Sequence, residues 1–314
     1  MLLSDKEYMS VVDNIKREIR LTQFNAILHV NSEMTILYYR IGQIINEHKV
    51  WGNKFIDSLA KDIKMAFPQS TGFSIRNLKY MAKFATEYPN FEFVQQVVAR
   101  IPWGHNIVLM DKVSDYTVKK WYAEESIKNG WSRNVLVHQI ESGLYGRQVA
   151  VEKISNFKKL LPAPQSELAE QTMKDPYIFD FIPFKEDMVE RDIEQALVKE
   201  ITSLLLELGT GFAFLGNQYH LNVGGDDFYI DLLFYNLNLR SYVVIELKTG
   251  DFKPEYAGQL NFYLSPVDGI LKKETDNPTI GLLLCKSKNN LVAEYSLKDI
   301  SKPMGISSYR ISSE

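Results

Sequence analysis

The chain has 314 residues, 45% hydrophobic and 24% charged, which excludes intrinsic disorder and, at roughly 150 residues per domain, suggests two domains. A single cysteine, Cys285, excludes an internal disulfide and a multi-cysteine zinc site. The net charge of −3 is uneven: residues 1–150 hold 19 Lys/Arg against 15 Asp/Glu, a net of +4, and residues 151–314 hold 17 against 24, a net of −7.

The opening MLLSDKEYMS lacks a basic stretch leading into an apolar core, so no secretory signal is expected. No run approaches the roughly 18 uncharged apolar residues of a membrane span. A reducing, cytoplasmic setting with no membrane partner is therefore expected. The basic first half suits a nucleic-acid partner, because phosphate neutralisation dominates such affinity. A net of +4 over that length is equally an ordinary surface charge.

Helical periodicity runs through residues 8–20, 31–48, 54–67 and 75–88, and again through 134–144 with Ser132 as an N-cap. Loops marked by Pro68, Gly72, Pro89, Pro102 and Gly104 separate them. The stretch 161–177, LPAPQSELAEQTMKDPY, has the prolines and polar residues of a linker. Beyond it the pattern changes. An amphipathic helix over 185–208 ends at Gly209, strands follow at 212–221, 228–235 and 242–248, a helix opens at Pro254, and a last strand covers 280–285. The expected organisation is a mostly α-helical domain over 1–160, a linker over 161–177, and an α/β domain over 178–314 of order α-β-β-β-α-β with a mixed sheet.

Within the run FYIDLLFY, Asp231 is a carboxylate among aromatic and aliphatic neighbours, costly to bury unless paired or bound to a cation. The next strand, YVVIELK, places Glu246 and Lys248 on one face. A hairpin centred between Asn238 and Leu239 sets Asp231 directly opposite Glu246, a destabilising pair without a cation. Mg²⁺ relieves that conflict, since it prefers carboxylate oxygens, water and substrate phosphate, and Mn²⁺ would serve as well. Asp231 and Glu246 would be ligands, with the main-chain carbonyl of Leu247 as a third. Lys248 would orient or deprotonate the attacking water, or stabilise charge on the phosphate. The competing reading is a Glu–Lys salt bridge between strands with Asp231 satisfied by backbone; three such residues in this alternation favour phosphodiester hydrolysis.

Asp231 followed by Glu246-Leu247-Lys248 is similar to the signature of the PD-(D/E)XK nuclease superfamily, with Ile230 where that label has proline. More narrowly, ELGTGFAFLGNQYHL, FYIDLLFYN and VVIELKTGDFKPEYAGQLNFYL resemble the YhcG-like bacterial nuclease family, and GFSIRNLKYM, IPWGHN and GWSRNVL resemble its helical N-terminal companion domain. The resemblance implies a PD-(D/E)XK-like nuclease domain, metal binding by Asp231 and Glu246, and a catalytic role for Lys248. Gln259 and Tyr263, spaced i, i+4, resemble a Q-x-x-x-Y extension in which the glutamine lies near the active site. Otherwise, Gln259 sits on a polar face and Tyr263 packs in the core. The superfamily's acidic residue on the first core helix would be Glu194, on the apolar side with Leu197, Val198 and Ile201, unless its head simply reaches water. His220 reads as a half-exposed strand residue, and Asp226 and Asp227 as a turn.

No catalytic set emerges in residues 1–150, and His105 reads as structural. Residues 54–88 resemble a helix–turn–helix whose second helix, capped by Ser74, would present Arg76, Asn77 and Lys79 to phosphates and base edges. Tyr80, Met81 and Phe84 fit an ordinary packed pair equally well. The expected function is Mg²⁺-dependent hydrolysis of nucleic acid, DNA before RNA. The alternative is a non-catalytic nucleic-acid-binding or accessory subunit of a DNA-processing or defence assembly. Homo-oligomerisation and partner subunits are both left open.

Overall fold

The computed structural model describes residues 5–48, 53–183 and 188–311. It forms two compact units, Met1–Glu141 and Ser142–Glu314. Among the described residues, no helix is long and apolar enough to cross a membrane.

The first unit is helical. α1 (Asp5–Glu47) is one continuous helix where the sequence suggested two, and α2 (Asn53–Ala66) and α3 (Ile75–Glu87) follow. Nothing between residues 20 and 31 breaks a helix, since neither Gly nor Pro occurs there. Tyr38 and Ile45 of α1 pack against Leu78 and Met81 of α3. Ser74 caps α3 as expected, its hydroxyl accepting from the Asn77 N–H at 3.3 Å. α4 (Phe91–Gln96), α5 (Trp103–Lys112), α6 (Tyr116–Asn129) and α7 (Arg133–Glu141) complete the unit. Of these, α4, α5 and α6 lay in stretches where no helix was expected. α6 buries Lys119 against Glu87, so its inner face is not purely apolar and its periodicity is weak.

The second unit is a mixed sheet between two helical layers. Its elements are β1 (Ile154–Ser155), α8 (Phe157–Leu160), α9 (Gln165–Thr172), β2 (Tyr177–Ile178), α10 (Glu190–Lys199), α11 (Ile201–Leu208), β3 (Phe212–Val223), β4 (Asp226–Asn236), β5 (Ser241–Asp251), α12 (Pro254–Ile270), β6 (Ile280–Ser287), α13 (Asn290–Leu297) and β7 (Met304–Arg310). The α-β-β-β-α-β core expected from the sequence is present, with α13 and β7 added beyond it. The expected helix over 185–208 is divided at Glu200 into α10 and α11; residues 185–187 lie outside the described ones. The strand order is β1-β7-β6-β5-β4-β3, with β2 also on β7. β3, β4 and β5 pair antiparallel, while β5, β6 and β7 run parallel. One layer, with Ile193, Leu197, Leu204 and Leu208 of α10–α11, covers Leu232, Ile245 and Leu247. The other, with Leu260, Leu264 and Val267 of α12, covers Ile230, Val244 and Leu283.

The stretch 161–177 is no linker. Leu161, Ala169, Met173 and Tyr177 belong to the second unit's core, and two of its charges, Lys174 and Asp175, are buried in ion pairs rather than solvated. Glu207 meets both Arg147 and Lys174, and accepts from the Ile178 N–H at 2.9 Å. Asp175 meets Lys288 and accepts from the Ser308 N–H and hydroxyl at 3.0 and 2.7 Å. A composition that reads as solvent-seeking is here satisfied internally. Because Arg147, Lys174 and Glu207 are all at most 6% exposed, Glu207→Ala should leave buried cations uncompensated and cost about 3 kcal/mol of stability. Urea unfolding followed by tryptophan-independent far-UV circular dichroism measures this, and a loss under about 1 kcal/mol would deny the network that role.

Candidate active site

The β4–β5 turn fixes the register. The buried Asn236 side chain accepts from the N–H groups of Asn238 and Leu239, both at 3.0 Å, and the ladder runs from Asn236–Ser241 to Leu232–Ile245. One step further, Asp231 stands opposite Glu246, as the sequence suggested. The strands fork at that point: β5 goes on pairing with β6, and β4 goes on with β3.

The fork has a cause that simple alternation does not contain. Ile230 is buried beneath α12 whereas Leu232 is buried beneath α10–α11, although residues two apart normally share a face. Between them, Asp231 and its cross-strand neighbour Gln218 interrupt the pairing, and Gln218 has φ of 44°. A positive φ in a non-glycine residue is unfavourable and marks an irregularity that the surroundings must hold. Gln218 is held by its amide, which donates to Glu194 and, at 3.4 Å, to Asp231.

Each of the facing carboxylates takes a backbone N–H from the opposite strand. Asp231 Oδ2 accepts from Leu247 N–H at 2.9 Å, and Glu246 Oε1 accepts from Asp231 N–H at 3.4 Å. Lys248 Nζ lies 3.7 Å from Glu246 Oε2, 3.2 Å from Glu190 Oε2, and 5.3 Å from the centre of the Tyr256 ring. Glu194 is 1% exposed and accepts from Asn217 Nδ2 at 2.6 Å as well as from Gln218. Three acidic residues, Asp231, Glu246 and Glu190, thus act on one lysine, and Glu194 reaches Asp231 through Gln218.

Burial, reinforced by the Asp231 charge, pushes the Glu246 carboxyl up to about 8. Asp231 is also raised, by burial first, with the Leu247 N–H and Lys248 opposing. Burial draws the Lys248 amine down, but Glu246, Glu190 and Asp231 outweigh it and the net shift is upward. Lys248 is therefore an ammonium at neutral pH. The donor set suits a hard divalent cation: two partly desolvated carboxylates share a negative field that one lysine does not balance. Among the described residues, no three His, Cys, Asp or Glu side chains converge as a ready-made metal cage. Two carboxylates completed by water and phosphate are the arrangement open to it.

The other expected residues divide. Glu194 faces the site through Gln218. Gln259 is exposed and donates to the Tyr263 hydroxyl at 3.0 Å; Tyr263 is 8% exposed and packs with Phe228 and Phe262. Neither shares a hydrogen bond with Asp231, Glu246 or Lys248 among the described residues. Glu190, Tyr256 and Asn217 were missed. Glu190 is four residues before Glu194, and Tyr256 is three before Gln259, so helical spacing alone carried the signal. His220 is exposed and bonded to Asp227 at 2.7 Å.

In the first unit, Asn77 is a correction. Its side chain donates to the Gly72 carbonyl and accepts from Trp103 Nε1 at 2.7 Å, so both ends of its amide are engaged in tying α3 to the preceding loop and to the start of α5. Arg76 and Lys79 are exposed. His105 donates to the Trp131 carbonyl at 2.8 Å, a structural bond.

A pH dependence follows from Glu246. Its folded pKa lies above the ordinary 4.5, so the metal-free fold is most favoured below that value and loses stability as pH rises towards about 8. Glu246→Gln should abolish that decline, with a difference on the order of a few kcal/mol accruing between pH 5 and 9. Thermal melts in EDTA check this; parallel pH curves for both proteins would contradict it.

Residues 170–314 match the family model for the YhcG PDDEXK nuclease domain, and residues 14–147 match that for the DUF1016 N-terminal domain. The chain is 28% identical over 341 residues to the Escherichia coli (strain K12) protein named "Putative nuclease YhcG", across 97% of this chain and 90% of that one. Two solved structures show a weaker likeness, each covering 41% of this chain. One is a repair endonuclease from Pyrococcus abyssi (18% identity, 49% of its chain, TM-score 0.27), the other an EndoMS–dsDNA complex (19%, 48%, 0.28). The chain thus spans about half the length of those two endonucleases, and the assignment rests on the domain models instead. With one model on each unit, the chain joins a DUF1016 N-terminal domain to a YhcG PDDEXK nuclease domain.

Proposed function

We propose that the second unit hydrolyses phosphodiester bonds in nucleic acid, DNA before RNA, with Mg²⁺ or Mn²⁺ held by Asp231, Glu246 and the Leu247 carbonyl. The observation that carries this reading is the facing of Asp231 and Glu246 at a strand fork, with the Lys248 amine 3.7 Å from Glu246. Such a metal supplies an acidified water and neutralises phosphate charge. Asp231 and Glu246 must both be ionised to serve, and Lys248 favours that by lying beside them. As an ammonium, Lys248 is suited to stabilise the extra negative charge of the pentacovalent phosphate and to orient the incoming water, rather than to take its proton. Glu190 and the Tyr256 ring hold the amine in place from the two helical layers. Gln218 ties the buried Glu194 to Asp231 and so fixes the irregularity at the fork. Gln259, one turn beyond Tyr256 on the same face of α12, is assigned a contact to the substrate phosphate. Arg76 and Lys79 of the first unit are assigned phosphate contacts that position the duplex.

Purified protein with Mg²⁺ should cut at least one member of a panel of labelled DNA and RNA duplexes, flaps, junctions and single strands, and EDTA should stop it. Asp231→Asn and Lys248→Ala should each lower the rate about 100-fold or more while leaving the circular dichroism spectrum unchanged. Cutting at the wild-type rate by both variants would remove the proposal. Absence of cutting, combined with no divalent-ion heat in calorimetry that depends on Asp231 and Glu246, would favour the accessory, non-catalytic reading.

A further inference from the structure

Beyond the fork, β3 and β4 continue as a two-stranded arm. Their pairing runs on from Tyr219–Ile230 to Val223–Asp226, past the last β4–β5 pair. At the tip, Gly224 and Gly225 take the positive φ values, 65° and 99°, that a tight hairpin requires. One face of the arm is anchored: Leu221 and Ile230 are buried, and the Phe228 ring packs at a tilt against Phe262 of α12, centroids 4.8 Å apart. The other face is exposed, and its composition is unusual. Gln218, His220, Asn222 and Tyr229 line it, none of them a cation. The acid on that face, Asp227, is occupied by His220 at 2.7 Å and Asn222 at 3.0 Å.

Tyr229 is 51% exposed and lies against the His220 ring, centroids 5.3 Å apart and 35° from parallel. Asp227 fixes the far side of that imidazole, so the two-ring platform is set before any ligand arrives. The Tyr229 hydroxyl has no hydrogen-bond partner among the described residues. A surface built to grip phosphates would carry lysine or arginine here. A face of amides, an imidazole and an exposed ring, free of lysine and arginine and with Asp227 engaged by His220 and Asn222, instead matches nucleobases, which offer π-faces and hydrogen-bonding edges. The face begins at Asp231 itself and extends four residues to Asp227, about 14 Å at strand rise, a span for about four stacked nucleotides.

We propose that the exposed face of the β3–β4 arm is a track for unpaired nucleobases leading into the fork, with Tyr229, backed by His220, as the stacking platform. This rests on the nuclease reading and narrows it: the substrate class is nucleic acid with a frayed, flapped or single-stranded portion next to the scissile bond. Tyr229 is here a binding residue, two positions from Asp231 and outside the metal ligands.

The test uses the full chain with Ca²⁺ in place of Mg²⁺ and two fluorescein-labelled DNA probes of equal length, one blunt duplex and one carrying a three-nucleotide unpaired tail with 2-aminopurine. Wild type should bind the tailed probe more tightly and quench the 2-aminopurine. Tyr229→Ala should weaken the tailed probe about 10-fold and abolish the quench, while blunt-duplex affinity changes less than about twofold. Tyr229→Trp should keep both signals, which separates stacking from loss of fold. Equal affinities of wild type for the two probes, equal losses on both with Tyr229→Ala, or no loss on either would overturn the proposal. A separate Mg²⁺ assay keeps the two readings apart: tailed-probe preference without cutting sinks the nuclease assignment and leaves the track, and cutting without that preference does the reverse.

Discussion

Mutual repulsion between two carboxylates drawn out of water, Glu246 only 2% exposed and held opposite Asp231 at a strand fork, governs the arrangement around them. Neither can swing away, because each is hydrogen-bonded to a backbone N–H of the other's strand. Their positions follow from the β4–β5 register, which Asn236 locks at the far end of the ladder. A slip of one residue would send Glu246 to the opposite face and bury it among Leu197 and Leu204. Lys248 is the local answer to the repulsion, and it is incomplete: a single ammonium stands against Asp231, Glu246 and Glu190. The remaining deficit of positive charge is what a divalent ion would supply.

The scaffold serves that strained pair by packing on both sides of it. α10 brings Glu190 and Glu194 from one layer, and α12 brings Tyr256 from the other, so the lysine is clamped between layers at the rim of the sheet. The irregularity at Gln218 has the complementary effect on β4. It turns the strand so that Ile230 and Phe228, on the far side of Asp231 from the ladder with β5, pack beneath α12.

How much of this was legible in the sequence depended on the reach of the signal. The facing of Asp231 and Glu246 follows from equal distances to the hairpin centre, and the shared face of Glu246 and Lys248 follows from alternation; both are local rules. The change of face at Asp231 is not local, since it depends on Gln218 of another strand adopting φ of 44°. Glu190 and Tyr256 were in plain helical register with Glu194 and Gln259, yet which face meets the site is decided by packing. The misreading of 161–177 has a different origin. Lys174 and Asp175 look solvent-seeking until Glu207 and Lys288, distant in sequence, neutralise them. In the first unit, Asn77 has the right chemistry for reading a base, but Trp103 claims it.

β7 forms the outer border of the long strands, and among the described residues two short pieces cover its free side: β1 along Gly305–Ile306 and β2 along Tyr309–Arg310. Both come from residues before 179. A fragment begun at residue 179, after the stretch that resembles a linker, would bare that border and strip Glu207 of Arg147 and Lys174 together. Unpaired borders of this kind recruit other chains. A piece that keeps this border covered and Glu207 paired therefore has to include Arg147, upstream of residue 170 where the nuclease-domain match starts.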